Sequence, residues 1–289
     1  MTVLVGLARR YLAARIVSVQ HAADVLRVCR RAQQAQSNGR VCVEELTAWL
    51  RSELAEHPPA TVARYRRVLL SVLNWASKQG LCQPVQLPPV RVPPPVPEAW
   101  TLEQLNRILA AASRWPGSVG KVLARDWWPA LILTIYWTAA RIGSVLAATP
   151  SDWQSPFLTL RCTKNGKAIV CRLHPQACEA IDRIYDPTAS RLFFFPYRRE
   201  WLFDNFRRIV KAAGLSPAGG LFHRLRRTCL TYCWLVDPAI AQRQADHSNA
   251  EVTRRHYIDP RIVSVARTAA DVLPVPHYEP TPSQRLLFD

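Results

Sequence analysis

The chain has 289 residues, 49% of them hydrophobic and ten of them Trp, so a packed core can form and two domains fit within its length. Lys and Arg outnumber Asp and Glu by 38 to 21, a net charge of +17. Such an excess repels itself and favours a polyanionic partner: nucleic acid first, a membrane surface second, with a solvated arginine-rich surface as the plain alternative. Eight cysteines include no C-x-x-C pair. Cys229 and Cys233 lie four apart with no Cys or His pair at ligand spacing to join them. The expectation is therefore free thiols, no metal and no cofactor. The first residues lack the order of a signal peptide. The longest apolar segment, 127–140, contains Pro129 and falls short of the ~20 residues that span a bilayer. A soluble, cytoplasmic protein with no membrane partner is expected.

Apolar residues at spacings of three and four predict helices over 4–14, 19–32, 43–54 and 61–78, with Gly80 stopping the last. Arg64, Arg66 and Arg67 accompany a buried-looking set there, and are either solvated or placed for DNA phosphates. Seven of the fourteen residues in 84–97 are proline, which predicts an extended, semi-rigid linker carrying Arg91. This divides the chain into a helical domain at 1–83 and a second domain at 98–275.

The second domain opens on Thr101-Leu-Glu-Gln104, a capping-box sequence. Residues 126–138 are apolar nearly all round, the mark of a central buried helix. Two strand-like runs, 157–164 and 167–173, flank Asn165-Gly166, which predicts a tight hairpin. Helices are expected over 174–185, 199–213, 222–236, 238–245, 251–257 and 261–273. The tail at 276–289 reads as mobile.

Four places collect polar groups that an ordinary core does not need. These are Arg141 directly after the buried helix, Lys164 at the hairpin, His223-Arg-Leu-Arg226, and His247 with Tyr257 ten residues on. His223 and Arg226 share a helix face. Each has a plain structural alternative: an ion pair for Arg141, a turn lysine, a helix-capping histidine. Their order along the chain is harder to dismiss.

These stretches resemble the tyrosine recombinases, or phage integrases. The matching segments are Thr138-Ala-Ala-Arg141-Ile-Gly-Ser144, Thr163-Lys164-Asn-Gly-Lys167, His223-Arg-Leu-Arg226-Arg-Thr228, Ala245-Asp-His247-Ser-Asn249 and Arg255-His-Tyr257. Three positions depart from the family pattern: Ala139 replaces a Gly, Asp246 replaces a Gly, and Ser144 replaces a Glu. His256 stands where many relatives place the Tyr, but Tyr257 is the better nucleophile.

The resemblance implies a mainly α protein: a helical core-binding (SAM-like) domain plus a mixed α/β catalytic domain with a small β-hairpin or sheet, of the DNA-breaking-rejoining type. It implies a site-specific recombinase working through a 3′-phosphotyrosine, with catalytic residues Arg141, Lys164, His223, Arg226, His247 and the nucleophile Tyr257. It implies double-stranded DNA as partner, gripped in a C-shaped clamp, a homotetramer on paired sites, accessory DNA-bending proteins and a nucleoid-associated location. Arg64, Arg67, Arg91, Arg224 and Arg227 are candidate DNA contacts. The rival readings are a type IB topoisomerase-like relaxing enzyme and a non-catalytic DNA-binding relative.

Overall fold

The computed structural model describes residues 3–37, 41–94, 96–161, 166–245 and 250–263. Two compact units divide the chain, Met1–Pro94 and Pro95–Asp289.

The first unit is four helices, α1 (Val3–Ala13), α2 (Val19–Gln34), α3 (Val43–Glu56) and α4 (Pro59–Lys78). Helix α4 is the hub, and the other three pack on it. Val62, Tyr65, Leu69, Val72, Leu73 and Ala76 form its buried stripe at helical spacing. Gly80 ends it in the left-handed conformation (φ 68°), which glycine adopts without steric cost. The Gly80 amide donates to the Ser77 carbonyl and the Leu81 amide to the Ala76 carbonyl, both at 2.9 Å, so two carbonyls of the last turn that lack the usual helical partner are satisfied. Arg31 donates to both carboxylate oxygens of buried Glu53 at 2.9 Å and ties α2 to α3. Early residues of the proline-rich stretch pack on this unit. Val85 and Leu87 lie in its core, and Arg66 donates from Nε and Nη2 to the Leu87 carbonyl at 3.1 and 2.6 Å.

The second unit is built around α6 (Ala124–Thr138), whose buried residues include Trp127, Trp128, Leu131, Ile132 and Ile135. Nearly every face is apolar because α5 (Leu102–Ala112), α8 (Pro175–Asp182) and α10 (Leu221–Val236) pack around it. The capping box at the start of α5 forms as its sequence predicts: Thr101 Oγ1 accepts from the Gln104 amide at 3.2 Å, and Gln104 Oε1 accepts from the Thr101 amide at 3.1 Å. A hairpin of β1 (Ser118–Val119) and β2 (Val122–Leu123) precedes α6, and α7 (Ile142–Ala147) follows it. Helices α9 (Arg199–Ala212), α11 (Pro238–Ala245), α12 (Ala250–Tyr257) and α13 (Pro260–Val263) complete the unit.

The sheet is three-stranded and antiparallel, in the order β3 (Trp153–Gln154), β4 (Phe157–Leu160), β5 (Ile169–Arg172). Its register corrects one expectation. A two-residue Asn165-Gly166 turn places Leu160 opposite Cys171, whereas Leu160 pairs with Ile169. The described strands end at Leu160 and resume at Ile169. A shift of two preserves the alternation of faces, so Leu158 and Leu160 still enter the core while Thr159 and Val170 pair on the other side. Of the helix expected over 261–273, only the part through Val263 is described. It lies in α13, and the rest, with the tail, lies outside the described residues.

Candidate functional site

The chain turns sharply after α6. Thr138 Oγ1 donates to the Thr134 carbonyl at 2.6 Å and accepts from the Ala140 amide at 3.1 Å. Between them Ala139 adopts φ 50° and ψ 19°, the left-handed conformation, and is fully buried. This is the position where the recombinase pattern has glycine, the residue that tolerates such a φ best. The turn delivers Arg141 as the residue preceding α7, half-buried, with buried Ser144 one turn further on.

Helix α10 supplies the second arginine. Arg226 is 3% exposed, and two backbone carbonyls fix its guanidinium. Nη1 donates to Ala139 and Nη2 donates to Ala245 at 2.8 Å. The left-handed Ala139 thus orients one of those carbonyls. Burial, partly offset by Tyr257, lowers the Arg226 pKa, and like charge from Arg141 adds to the lowering. Its Nε is buried with no hydrogen-bond partner among the described residues.

Tyr257, at the end of α12, closes the group. Its ring lies 5.0 Å from the Arg226 guanidinium and 5.1 Å from the His223 ring, centroid to centroid. Tyr257 is buried and neighbouring His256 is exposed, so these contacts fall on the tyrosine. The backbone around it is pinned. Thr231 Oγ1 donates to the Tyr257 carbonyl at 3.2 Å and accepts from the Asp259 amide at 3.1 Å. Asp259 accepts from the Ala99 amide at 2.8 Å and from the Arg261 side chain at 3.0 and 2.8 Å. Burial alone would raise the Asp259 pKa, but the Arg261 and backbone hydrogen bonds outweigh it and hold the carboxyl below its usual range. His223 is shifted down to about 4, first by burial and then by the positive field of Arg227, Arg226 and Arg141. It is therefore a neutral imidazole at neutral pH, able to accept a proton.

Arg141 and Arg226 line a cleft of ≈ 360 Å³ together with Arg172 of β5, Arg243 of α11 and Gln244. Among the described residues that line it there is no Asp, Glu or aromatic ring. Neither Arg172 nor Arg243 stood out in the sequence. An exposed arginine on a strand or helix looks like any solvated one, and only the fold brings these two to the same opening. Helix α11 is set there by Gln244, whose Nε2 donates to the Trp137 carbonyl at 3.2 Å.

The structure thus brings Arg141, His223, Arg226 and Tyr257 together. Lys164 and His247 lie outside the described residues. The candidate DNA-contacting arginines differ in their surroundings. Arg67 and Arg91 are exposed. Arg64 pairs with Asp24 within the helical unit. Arg224 donates to the Ala99 carbonyl at 3.3 Å, lies 3.5 Å from a Glu98 carboxylate oxygen and stacks on Trp100 at 5.2 Å. Arg227 is half-buried, and burial lowers its pKa. Among the described residues, no three His, Cys, Asp or Glu side chains converge on a metal position, and no helix is long and apolar enough to cross a membrane.

A mainly helical unit carrying a three-stranded antiparallel sheet has the fold of the DNA-breaking-rejoining class. The family model "Phage integrase family" matches residues 99–262, more than half of the chain, and the chain belongs to that family, the tyrosine recombinases. Among solved structures, the fold is similar to a lambda integrase (75–356) dimer bound to a COC' core site, at 19% identity and a TM-score of 0.73, covering 88% of this chain and 95% of that one. It is also similar to the XerH site-specific recombinase bound to palindromic difH substrate, at 17% identity and a TM-score of 0.70, over 90% of this chain and 82% of that one. A third is the Tn1549 transposon integrase (aa 82–397) with circular intermediate DNA, at 17% identity and a TM-score of 0.67, over 92% and 99% of the two chains. A comparison with curated proteins found no match.

Proposed function

We propose that the protein is a site-specific DNA recombinase that cuts and rejoins duplex DNA through a covalent 3′-phosphotyrosine at Tyr257. The observation that carries this reading is the placement of the Tyr257 ring against both Arg226 and His223, beside a cleft lined by four arginines.

The chemistry follows from the charges. A phosphodiester carries one negative charge and its pentacovalent transition state carries more. Arg141 and Arg226 donate to the non-bridging oxygens, with Arg226 already fixed by its two carbonyls. Tyrosine, with a pKa near 10, is almost wholly protonated at neutral pH, so a base is useful. His223 takes the phenolic proton as the Tyr257 oxygen bonds to phosphorus. The bond from phosphorus to the 5′ oxygen breaks, and that oxygen takes a proton from Lys164. His247 donates to the phosphate. The phosphotyrosine keeps the phosphodiester energy, so rejoining needs no ATP. The bound phosphate also offsets the three arginines around His223 and draws its pKa back toward neutrality, which strengthens it as a base when DNA is present.

In this reading the partner is double-stranded DNA, the working assembly is a homotetramer on paired sites with accessory DNA-bending proteins, and the role is integration or excision of a mobile element at the nucleoid. One observation favours a second reading. Ser144 stands buried on α7 where the family pattern has a glutamate, so a non-catalytic DNA-binding relative is the rival. A nicked suicide substrate separates the two. A recombinase traps a covalent protein–DNA adduct on its cognate site, and a non-catalytic binder traps none. Supercoil relaxation without partner sites would point instead to topoisomerase-like action.

A further inference from the structure

The cleft holds more positive charge than one phosphate requires. Arg172, Arg226 and Arg243 line it from β5, α10 and α11, and Arg141 lines it from the turn before α7, with no carboxylate among the described lining residues. Arg172 and Arg243 are exposed, and neither makes an ion pair among the described residues. Bringing like charges to one opening is unfavourable unless an anion fills it. The volume of ≈ 360 Å³ equals that of roughly twelve liquid waters at about 30 Å³ each, which is room for more than one phosphate group.

The scissile phosphate needs two of these cations, Arg141 and Arg226, as argued above. We propose that Arg172 and Arg243 form a second phosphate subsite, which takes the neighbouring phosphate of the same DNA strand and sets the register of the scissile one over Tyr257. This rests on the reading of the protein as a DNA recombinase. The chemistry of the lining selects phosphate over a base. Its described residues offer no aromatic face on which a base could stack, and guanidinium groups match non-bridging phosphate oxygens in pairs. The two residues come from β5 and α11 and line the same cleft as the arginine pair. Gln244, next to Arg243, is anchored on the Trp137 carbonyl, which holds α11 in place. Arg172 and Arg243 are positioning residues and bond to no reacting atom.

The test is the salt dependence of DNA binding by the full chain, measured on cognate and on random duplex for wild type, Arg172→Gln, Arg243→Gln and the two Lys variants. Each neutralised phosphate contributes about −0.9 to the slope of log K against log salt. Each Gln variant should flatten that slope by about 1, with an equal loss of affinity on both duplexes, while each Lys variant keeps the slope. Both side chains are exposed, so the variants should melt as wild type does. An unchanged slope in both Gln variants would overturn the subsite, and so would a loss confined to cognate DNA, which marks a base contact. Adduct formation by wild type on a nicked cognate site is run alongside. If wild type forms adduct and the slopes do not move, the subsite alone fails. If wild type forms none, the recombinase reading itself fails.

Discussion

Ala139 shows how one residue sets the geometry of a site. Its left-handed φ of 50° costs a non-glycine residue roughly 1–2 kcal/mol, yet it aims the carbonyl that holds Arg226. Replacement by glycine relieves that strain but loses a buried methyl, about 0.8 kcal/mol, and adds chain entropy of similar size. Ala139→Gly should therefore change stability by less than about 1 kcal/mol. Ala139→Val puts a β-branched residue at a φ it does not tolerate, in a fully buried place, and should destabilise by about 2 kcal/mol or more. Denaturant unfolding of the two variants measures both.

His223 makes the second prediction at this scale. Its pKa of about 4 lies below the usual 6.5 because burial and three arginines disfavour the imidazolium. The neutral form is the one the fold holds. Its contribution to stability is complete above pH 6.5 and is lost as pH falls from there toward 4, because the unfolded chain takes up the proton first. For the same reason kcat/KM for strand cleavage, which reports the free enzyme, should keep its histidine-dependent activity well below pH 6.5 and lose it near pH 4. His223→Gln should lower cleavage by about 10²–10⁴-fold, the usual range for a general base. An acid limb at pH 6.5 would mean that neither burial nor the arginines hold this imidazole neutral.

At the level of elements, α12 matters most, because it carries Tyr257 into the site. Asp259 locks its end to Ala99, Arg261 and, through its own amide, Thr231, and is itself 1% exposed. Asp259→Asn removes charge-assisted bonds in a buried place and should cost about 2 kcal/mol. It should also lower the rate of adduct formation more than DNA affinity, because the substitution loosens the nucleophile and leaves the arginine cleft alone. With its pKa held low, the carboxylate stabilises the fold above the unfolded value of about 4 and loses that contribution as pH falls below it. Asn at this position should therefore flatten the acid side of the stability profile, which denaturation at several pH values would detect.

The elements also show what could be read from residue order. Long helices such as α4 and α6 announce themselves through period and apolar content, and the capping box before α5 names its own first residue. Helix α7 and the β1–β2 hairpin escaped because six residues or two pairs carry no measurable period. The Asn-Gly signal found the hairpin but set its register two residues off, since turn chemistry competes with the packing of Leu158 and Leu160. Within the site, Arg141, His223, Arg226 and Tyr257 were visible through their motifs. Arg172 and Arg243 were not, because their meaning lies in a convergence of β5 and α11 that no local spacing encodes. Arg224 was visible as a candidate DNA contact, but its partners Glu98 and Trp100, more than a hundred residues away in the chain, were not.

At the scale of the whole molecule, charge governs the encounter with DNA. A net charge of +17 makes binding to any duplex fall steeply with salt, with a log–log slope of about −0.9 per phosphate contacted. That part of the affinity should be nearly blind to sequence. A cognate site should be preferred through the smaller set of contacts that read bases.

Tyr257 is the nucleophile in the proposed reaction. Incubation with a nicked suicide duplex of the cognate site, followed by denaturing electrophoresis and peptide mapping, tests it most directly. The wild-type chain should shift by the mass of one DNA strand, with the label on the peptide containing Tyr257, and Tyr257→Phe should bind the duplex yet give no adduct. An adduct that persists in Tyr257→Phe, or one mapped to His256, would contradict the account.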